Sequence, residues 1–270
     1  MNRDDLKELA ANPDFISGIY NYCDRWCERC NLNSRCFLYA SEQADAGFDD
    51  PDVSDLTNAK FWRQLDSVFK DAHDLIKQCA EEAGVDLDAI ESSEPDAHIE
   101  EVEDGSRNEF SALARDYAAM VETWFTNELV AEESLSENAR LAAKNEGTKI
   151  DLQSAIEVIR WYQFFIAAKV FRAVMGDDDE MDGIYPNGGE DEMNPAQTDA
   201  NGSAKIALIA IDRSFSAWRT MQSCVPDKKE SIAPLMLTLE NLRIGIEQTL
   251  PLARDFIRPG FDELGGDFVS

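Results

Sequence analysis

Asp151-Leu-Gln-Ser-Ala155-Ile-Glu-Val-Ile-Arg160-Trp-Tyr-Gln-Phe-Phe165-Ile-Ala-Ala-Lys-Val170-Phe-Arg-Ala-Val-Met175 is the stretch that decides how this chain folds. Its apolar residues recur at helical spacing and show none of the strict alternation of a half-buried strand. They cover most of the helix circumference, and a helix that is apolar nearly all round belongs inside a bundle. Asp151 stands where an N-cap is wanted and Gly176 where a helix stops. The stretch predicts the central helix of a bundle over 152–175.

The same period continues on both sides. Downstream, Asp177-Asp178-Asp179-Glu180 opens a loop rich in Gly, Asn, Pro and acid that runs to about Gly202. Helices are expected over 203–224 and 231–257, with Pro234 in the first turn of the second and Pro251 kinking it. Upstream, Phe110, Leu113, Tyr117, Met120, Val121, Trp124 and Phe125 mark another long helix. Before it lies an acidic, aromatic-poor linker over 85–107. A helix over 57–84 precedes that, capped by Thr57 or Asn58 and ended by Gly84. Its expected inner stripe is Phe61, Leu65, Val68, Phe69, Ala72, Ile76 and Cys79. A further acidic loop, 45–55, sets this part off from the N-terminal region. Strand signals are scarce. The expected fold is all-α: a helical bundle of four to five long helices with an N-terminal helical cysteine-cluster module. The divisions are 1–44 for the module, 45–107 for loop, helix and linker, and 108–270 for the bundle with its acidic loop 177–202.

Charge removes whole function classes. Of 270 residues, 54 are Asp or Glu against 25 Lys or Arg, so the net charge is −29. Such a surface repels phosphate backbones and anionic lipids, which excludes general nucleic-acid binding and membrane binding. No apolar run reaches the roughly 18 residues that a membrane span needs. The opening Met-Asn-Arg-Asp-Asp-Leu-Lys-Glu carries no secretory pattern. The expectation is a cytoplasmic protein with reduced thiols, in which six cysteines point to metal or free thiols before disulfides.

Four of the six fall within fourteen residues: Cys23-Asp-Arg-Trp-Cys27-Glu-Arg-Cys30-Asn-Leu-Asn-Ser-Arg-Cys36. A helix beginning near Asp14 is expected to run through Phe15, Ile16, Ile19 and Tyr20 toward Cys30. Positions 23, 27 and 30 are then i, i+4 and i+7, on one face. A turn at Asn31 to Asn33 folds Cys36 back toward them, and Ser34 opens a third short helix. Four converging thiolates suit zinc or an iron–sulfur cluster. Residues 1–40 hold six acids and five bases, and Arg25, Arg29 and Arg35 lie between the cysteines. Positive charge there offsets the excess negative charge of a four-thiolate site and lowers thiol pKa values. The competing reading is that Cys23, Cys27 and Cys30 merely extend an apolar stripe, since cysteine behaves as a small hydrophobe. That stripe does not account for Cys36.

The last three cysteines, spaced C-x2-C-x5-C, resemble the end of the iron–sulfur loop of helix–hairpin–helix DNA glycosylases. In that family the fourth ligand lies six residues upstream, whereas three residues intervene here. The resemblance covers fourteen residues, includes no glycosylase active-site pattern, and implies the ligand type alone. The first three cysteines match the C-x3-C-x2-C spacing of radical-SAM enzymes, but that motif sits in a loop of an α/β barrel, and this chain lacks the strands. Iron–sulfur ligation is favoured over zinc because zinc sites usually pair cysteines in two short knuckles and only Cys27 and Cys30 form a C-x2-C pair.

Other chemistry is weaker. A di-iron bundle wants Glu-x-x-His pairs, yet Lys70 and Pro95 stand three residues before His73 and His98. Glu157 with Arg160, Asp212 with Arg213 and Arg219, and Glu240 with Arg243 read as ion pairs on helix faces or at inter-helix seams. A polar pocket near Trp161, Tyr162 and Trp218 is the sharper alternative. The acidic loops read as a solvated surface, and the alternative is a decoy for DNA or a dock for a basic protein partner. Two functions follow. The first is a redox, electron-transfer or redox-sensing role centred on an iron–sulfur cluster at Cys23, Cys27, Cys30 and Cys36. The second is an interaction or adaptor protein in which the same site holds a structural zinc.

Overall fold

The computed structural model describes residues 3–44, 66–85 in part, 108–129, 146–176 and 194–262. The expected acidic loop at 45–55, nearly all of the linker 85–107 and the loop over 177–193 lie outside the described residues. Among the described residues every regular element is helical. The chain divides into two compact units, one of Met1–Tyr20 with Arg25–Ile99, the other of Asn21–Asp24 with Glu100–Ser270.

Among the described residues, the second unit contains four long helices: α3 (Glu109–Leu129), α4 (Glu146–Met175), α5 (Asp199–Cys224) and α6 (Lys229–Thr249), taking α1 and α2 as the two short helices of the first unit. Each packs on two neighbours, in the closed order α3, α4, α5, α6 and back to α3. Side-chain pairs fix the directions. Arg172 at the end of α4 holds Asp199 at the start of α5, so those two are antiparallel. Trp124 Nε1 donates to Ser231 Oγ and Phe110 lies against Gly245, so α3 and α6 run antiparallel as well. A single turn, Pro226–Lys228, joins α5 to α6. The result is an up-down-up-down four-helix bundle.

Its core is aromatic at one level and small-residue at another. Trp218, Trp124, Phe125 and Tyr117 interlock, with the Trp218 and Trp124 rings edge to face at 5.1 Å. Trp218 Nε1 donates to Tyr117 Oη at 3.0 Å, so the buried indole has its partner. Burial pushes the Tyr117 hydroxyl far above its ordinary pKa, and it stays a neutral phenol.

The most hydrophobic of the four long helices is not the most buried one. α4 keeps one buried stripe, Leu152, Ala155, Ile159, Tyr162, Ile166, Val170 and Ala173, while Phe164 is 61% exposed. The helix enclosed on most sides is α5, where every residue from Ala200 to Ala204 is buried. Small side chains explain this, because they let neighbouring groups approach closely. A Cβ on Gly202 would stand 2.4 Å from the Tyr22 ring, and one on Gly245 of α6 would stand 2.1 Å from the Phe110 ring.

Helix ends follow local chemistry. α5 begins at Asp199, four residues before the sequence expectation, because Thr198 Oγ1 accepts from Asn201 N and caps it. α4 begins at Glu146, which leaves Asp151 inside the helix and not at its cap. Asn108 caps α3 through Phe110 N. α6 stops at Thr249 before Pro251 instead of kinking there, since the residue before proline is pushed out of the α region.

In the first unit, α1 (Arg3–Ala10) packs on α2 (Phe37–Ala44). The helix expected from Asp14 to Cys30 does not form. Single 3-10 turns at Ile19–Asn21, Cys27–Arg29 and Asn33–Arg35 take its place. Gly18 and Arg25 both have positive φ, 71° and 59°, which breaks any right-handed helix at those points. Ile16 N donates to Arg35 O at 3.0 Å, and Arg35 Nε donates to Asp14 O, so the long loop is closed at its base. Farther along, the described residues of 66–83 are helical. Gly84, at φ 70°, ends them, with Val85 N bonded to Ala80 O and Gly84 N to Glu81 O. The expected inner stripe of that helix is open at Phe69 and Ile76, which are 66% and 57% exposed.

Candidate metal centre

The four clustered cysteines sit on turns. Cys27 opens one 3-10 turn and Cys30 closes it, its N–H donating to Cys27 O at 3.2 Å. Cys36 closes the next turn, its N–H donating to Asn33 O at 3.2 Å, and its side chain is buried. Asn33 Nδ2 donates to Cys27 O at 3.4 Å and ties the two turns together. Leu32 N donates to Cys30 Sγ at 3.4 Å.

Cys23 belongs to the other unit, in the segment Asn21–Asp24. All six cysteines of the chain are free of disulfides, and Cys79 and Cys224 lie far from the cluster in sequence. Burial and the nearby Asp151 charge push the Cys224 thiol up, which keeps it protonated and poorly suited to ligation. Among the described residues, no three His, Cys, Asp or Glu side chains are arranged to hold a metal ion. The i, i+4, i+7 face that sequence spacing predicted is absent because the helix is absent.

The arginines have other partners. Arg25 pairs with Glu42 at 3.3 Å, Arg29 stacks over the Trp26 ring at 3.9 Å, and Arg35 reaches the Asp14 carbonyl. They contribute positive charge to the segment, but each is also part of its framework.

The segment Asn21–Asp24 forms a strap across α4 and α5. Lys169 Nζ donates to Asn21 O at 3.1 Å, and Trp161 Nε1 donates to Asp24 O at 3.0 Å. Tyr162 Oη donates to Asp24 Oδ2 at 2.7 Å, and Arg213 reaches both that oxygen and the Tyr162 hydroxyl. Tyr22 Oη donates to Asp199 Oδ1 at 2.8 Å, and its ring lies 4.6 Å from that of Phe256. Burial, with the Asp24 carboxylate adding to it, holds the Tyr162 hydroxyl well above the usual phenol range. The partners of Asp24 lie 137 or more residues away in sequence, so no local period could reveal them. Trp161, Tyr162 and Arg213 stood out as candidates; Asp24 did not.

The remaining expected pairs are mostly reassigned. Arg160 pairs with Glu122 on α3 at 2.6 Å instead of with Glu157, and it covers the Phe125 ring. Asp212 pairs with Arg254 at 3.1 Å. Glu240 and Arg243 pair at 2.6 Å as expected. Trp218 is buried against Tyr117, whereas Trp161 is part exposed and bonds the Asp24 carbonyl. Among the described residues no helix is long and apolar enough to cross a membrane. No protein family, curated protein or solved structure matches this chain.

Proposed function

We propose that this chain is a metal-binding protein with a redox, electron-transfer or redox-sensing role, in which Cys23, Cys27, Cys30 and Cys36 hold an iron–sulfur cluster. The observation that carries the reading is the C-x2-C turn, in which Leu32 N donates to Cys30 Sγ. A tight turn with a backbone donor on sulfur is what a thiolate ligand needs and what a plain apolar cysteine does not. Cys36, buried and linked to the same turn through Asn33, is the second support. The thiols must draw together as the metal enters, so binding is coupled to local ordering of residues 14–40. A cytoplasmic setting, where thiols stay reduced, suits the site. The alternative is an interaction protein in which a zinc ion holds the same turns as a structural staple.

The test is metal and sulfide analysis of full-length protein purified without oxygen. Iron with inorganic sulfide and a brown colour supports the redox reading. One zinc in a colourless protein supports the staple. Absence of both metals sinks the proposal, as does retention of full metal content by Cys27→Ser and Cys36→Ser together.

A further inference from the structure

We infer that the outer face of α4 is a dimer interface, on which two copies of the chain meet by antiparallel pairing of α4 with α4 about a two-fold axis. The inference lies within the second unit and is independent of what the cysteines bind.

α4 carries two apolar stripes, not one. The buried stripe from Leu152 to Ala173 faces the bundle. On the opposite side of the same helix, Trp161, Phe164, Ala168, Phe171 and Met175 follow one another at alternating steps of three and four residues. That spacing is the seam of a coiled coil. Phe164 is largely exposed, Ala168 is exposed, and Trp161 keeps part of its ring open beside its bond to the Asp24 carbonyl. The other long helices turn a different face outward. α3 exposes Arg115, Asp116 and Glu122, and α5 exposes Arg213, Ser216 and Arg219. On α6 the exposed Asn241 separates Leu237 from Ile244.

Shape and charge select a second copy as the occupant. The order of sizes along the seam is a palindrome about Ala168: large, large, small, large, large. A two-fold axis at Ala168 sets Phe164 of one copy against Phe171 of the other, and Trp161 against Met175. The small residue on the axis lets the two helices approach closely. Elsewhere a chain of net charge −29 repels its own copies. From Val158 to Met175 there is no acid at all. The bases in that segment are engaged, Arg160 with Glu122, Arg172 with Asp199 and Lys169 with the Asn21 carbonyl. Aromatic residues and Met, bordered by Arg and free of Asp and Glu, are the composition of an interface core. The antiparallel sense also suits the acidic run Asp177 to Glu180 that follows α4 in sequence. In that register it meets the end of the partner helix that carries Glu157 and Arg160, whereas parallel pairing would set run against run.

The experiment is sedimentation equilibrium of the full-length protein from about 1 to 100 μM, with reductant present so that the six free thiols form no bridges between chains. The wild type should show twice the mass of one chain. It should associate more tightly as salt rises, because salt screens the repulsion between two anionic copies. Phe164→Glu should weaken association roughly thirtyfold or more, as loss of a central aromatic does. Leu237→Glu, at an equally exposed position on α6, should match the wild type. Helicity should be equal in all three. Ala168→Glu and Ala168→Lys test the axis, and the former replaces Phe164→Glu if that variant does not fold. Each alone should stay monomeric, and an equimolar mixture should associate at least about tenfold more tightly than either, since the two positions face each other. A wild type that is monomeric at every concentration, or that loosens as salt rises, overturns the interface. So does a Phe164→Glu variant that associates like the wild type, or a Leu237→Glu variant that dissociates with it. A mixture no tighter than its parts overturns the two-fold pairing at Ala168.

Discussion

Helix α5 and the cysteine loop are built on opposite plans. More than half of α5 is buried, and its residues 200–204 are enclosed on every side. Among the described residues of 5–44, only Ile19, Tyr22 and Cys36 are buried, and Tyr22 lies in the strap. Burying a large apolar side chain contributes about 1.5–3 kcal/mol, so α5 and its neighbours have ample means to order themselves. The loop has few such contributions. It is shaped by tight turns, one closing backbone bond and a residue, Arg25, at an unfavourable positive φ. A segment held this way gains most from whatever crosslinks it, and a metal on its thiolates, as proposed, would be such a staple.

The largest expected effect lies in the bundle. Trp218→Ala should lower its stability by about 3–5 kcal/mol, since it removes a large buried ring and leaves the Tyr117 hydroxyl without its donor. Chemical denaturation followed by circular dichroism checks this. A loss below about 1 kcal/mol would break the contrast between the two regions.

Gly245→Ala comes next. Alanine is the better helix former, by about 1 kcal/mol, but its Cβ would overlap the Phe110 ring. Overpacking should win, for a net cost of about 1–2 kcal/mol in the same assay. A stabilised variant would show that α3 and α6 are looser than their packing implies.

A smaller effect concerns acid. Burial works to raise the Asp262 pKa, but hydrogen bonds from Arg258 and Lys205 hold the carboxyl below its usual range. The folded pKa lies under the unfolded one, so this clamp contributes at neutral pH and fades as pH falls through the ordinary carboxylate range toward the depressed value. Asp262→Asn should cost about 1 kcal/mol at pH 7 after solvent screening, and should lose less stability than the wild type on acidification. Parallel acid titrations of the two proteins would contradict this.

Cysteines outside the cluster should matter least. Serine at Cys79 or Cys224 should leave metal stoichiometry unchanged, because neither residue lies near the turns in sequence. Loss of metal in either variant would redraw the ligand set.

How legible the two regions were in sequence follows the same contrast. The bundle could be read because a 3.6-residue apolar period reports burial directly, as the stripe from Leu152 to Ala173 does. Rank within it was misread, since the apolar run 152–175 put α4 at the centre although Phe164 is 61% exposed, and the small residues that let α5 be enclosed were overlooked. The start of α5 was missed because Asn201 and Gly202 looked like loop, although Thr198 was there to cap it. The cysteine residues were legible as a cluster, but the helix drawn through them was not real: Phe15, Ile16 and Ile19 have helical spacing, yet Gly18 and Arg25 adopt left-handed backbone. The strap partners were out of reach, because contacts such as Asp24 to Arg213 leave no local pattern.

Hydrogen exchange across the full chain, with and without chelator, tests the central claim most directly. If the loop holds metal as proposed, removing it should speed exchange over residues 14–40 and leave α3 to α6 protected, since the bundle rests on burial and the loop would rest on its ligand. Unchanged protection over 14–40 after verified metal removal would contradict the account, and so would loss of protection throughout the bundle.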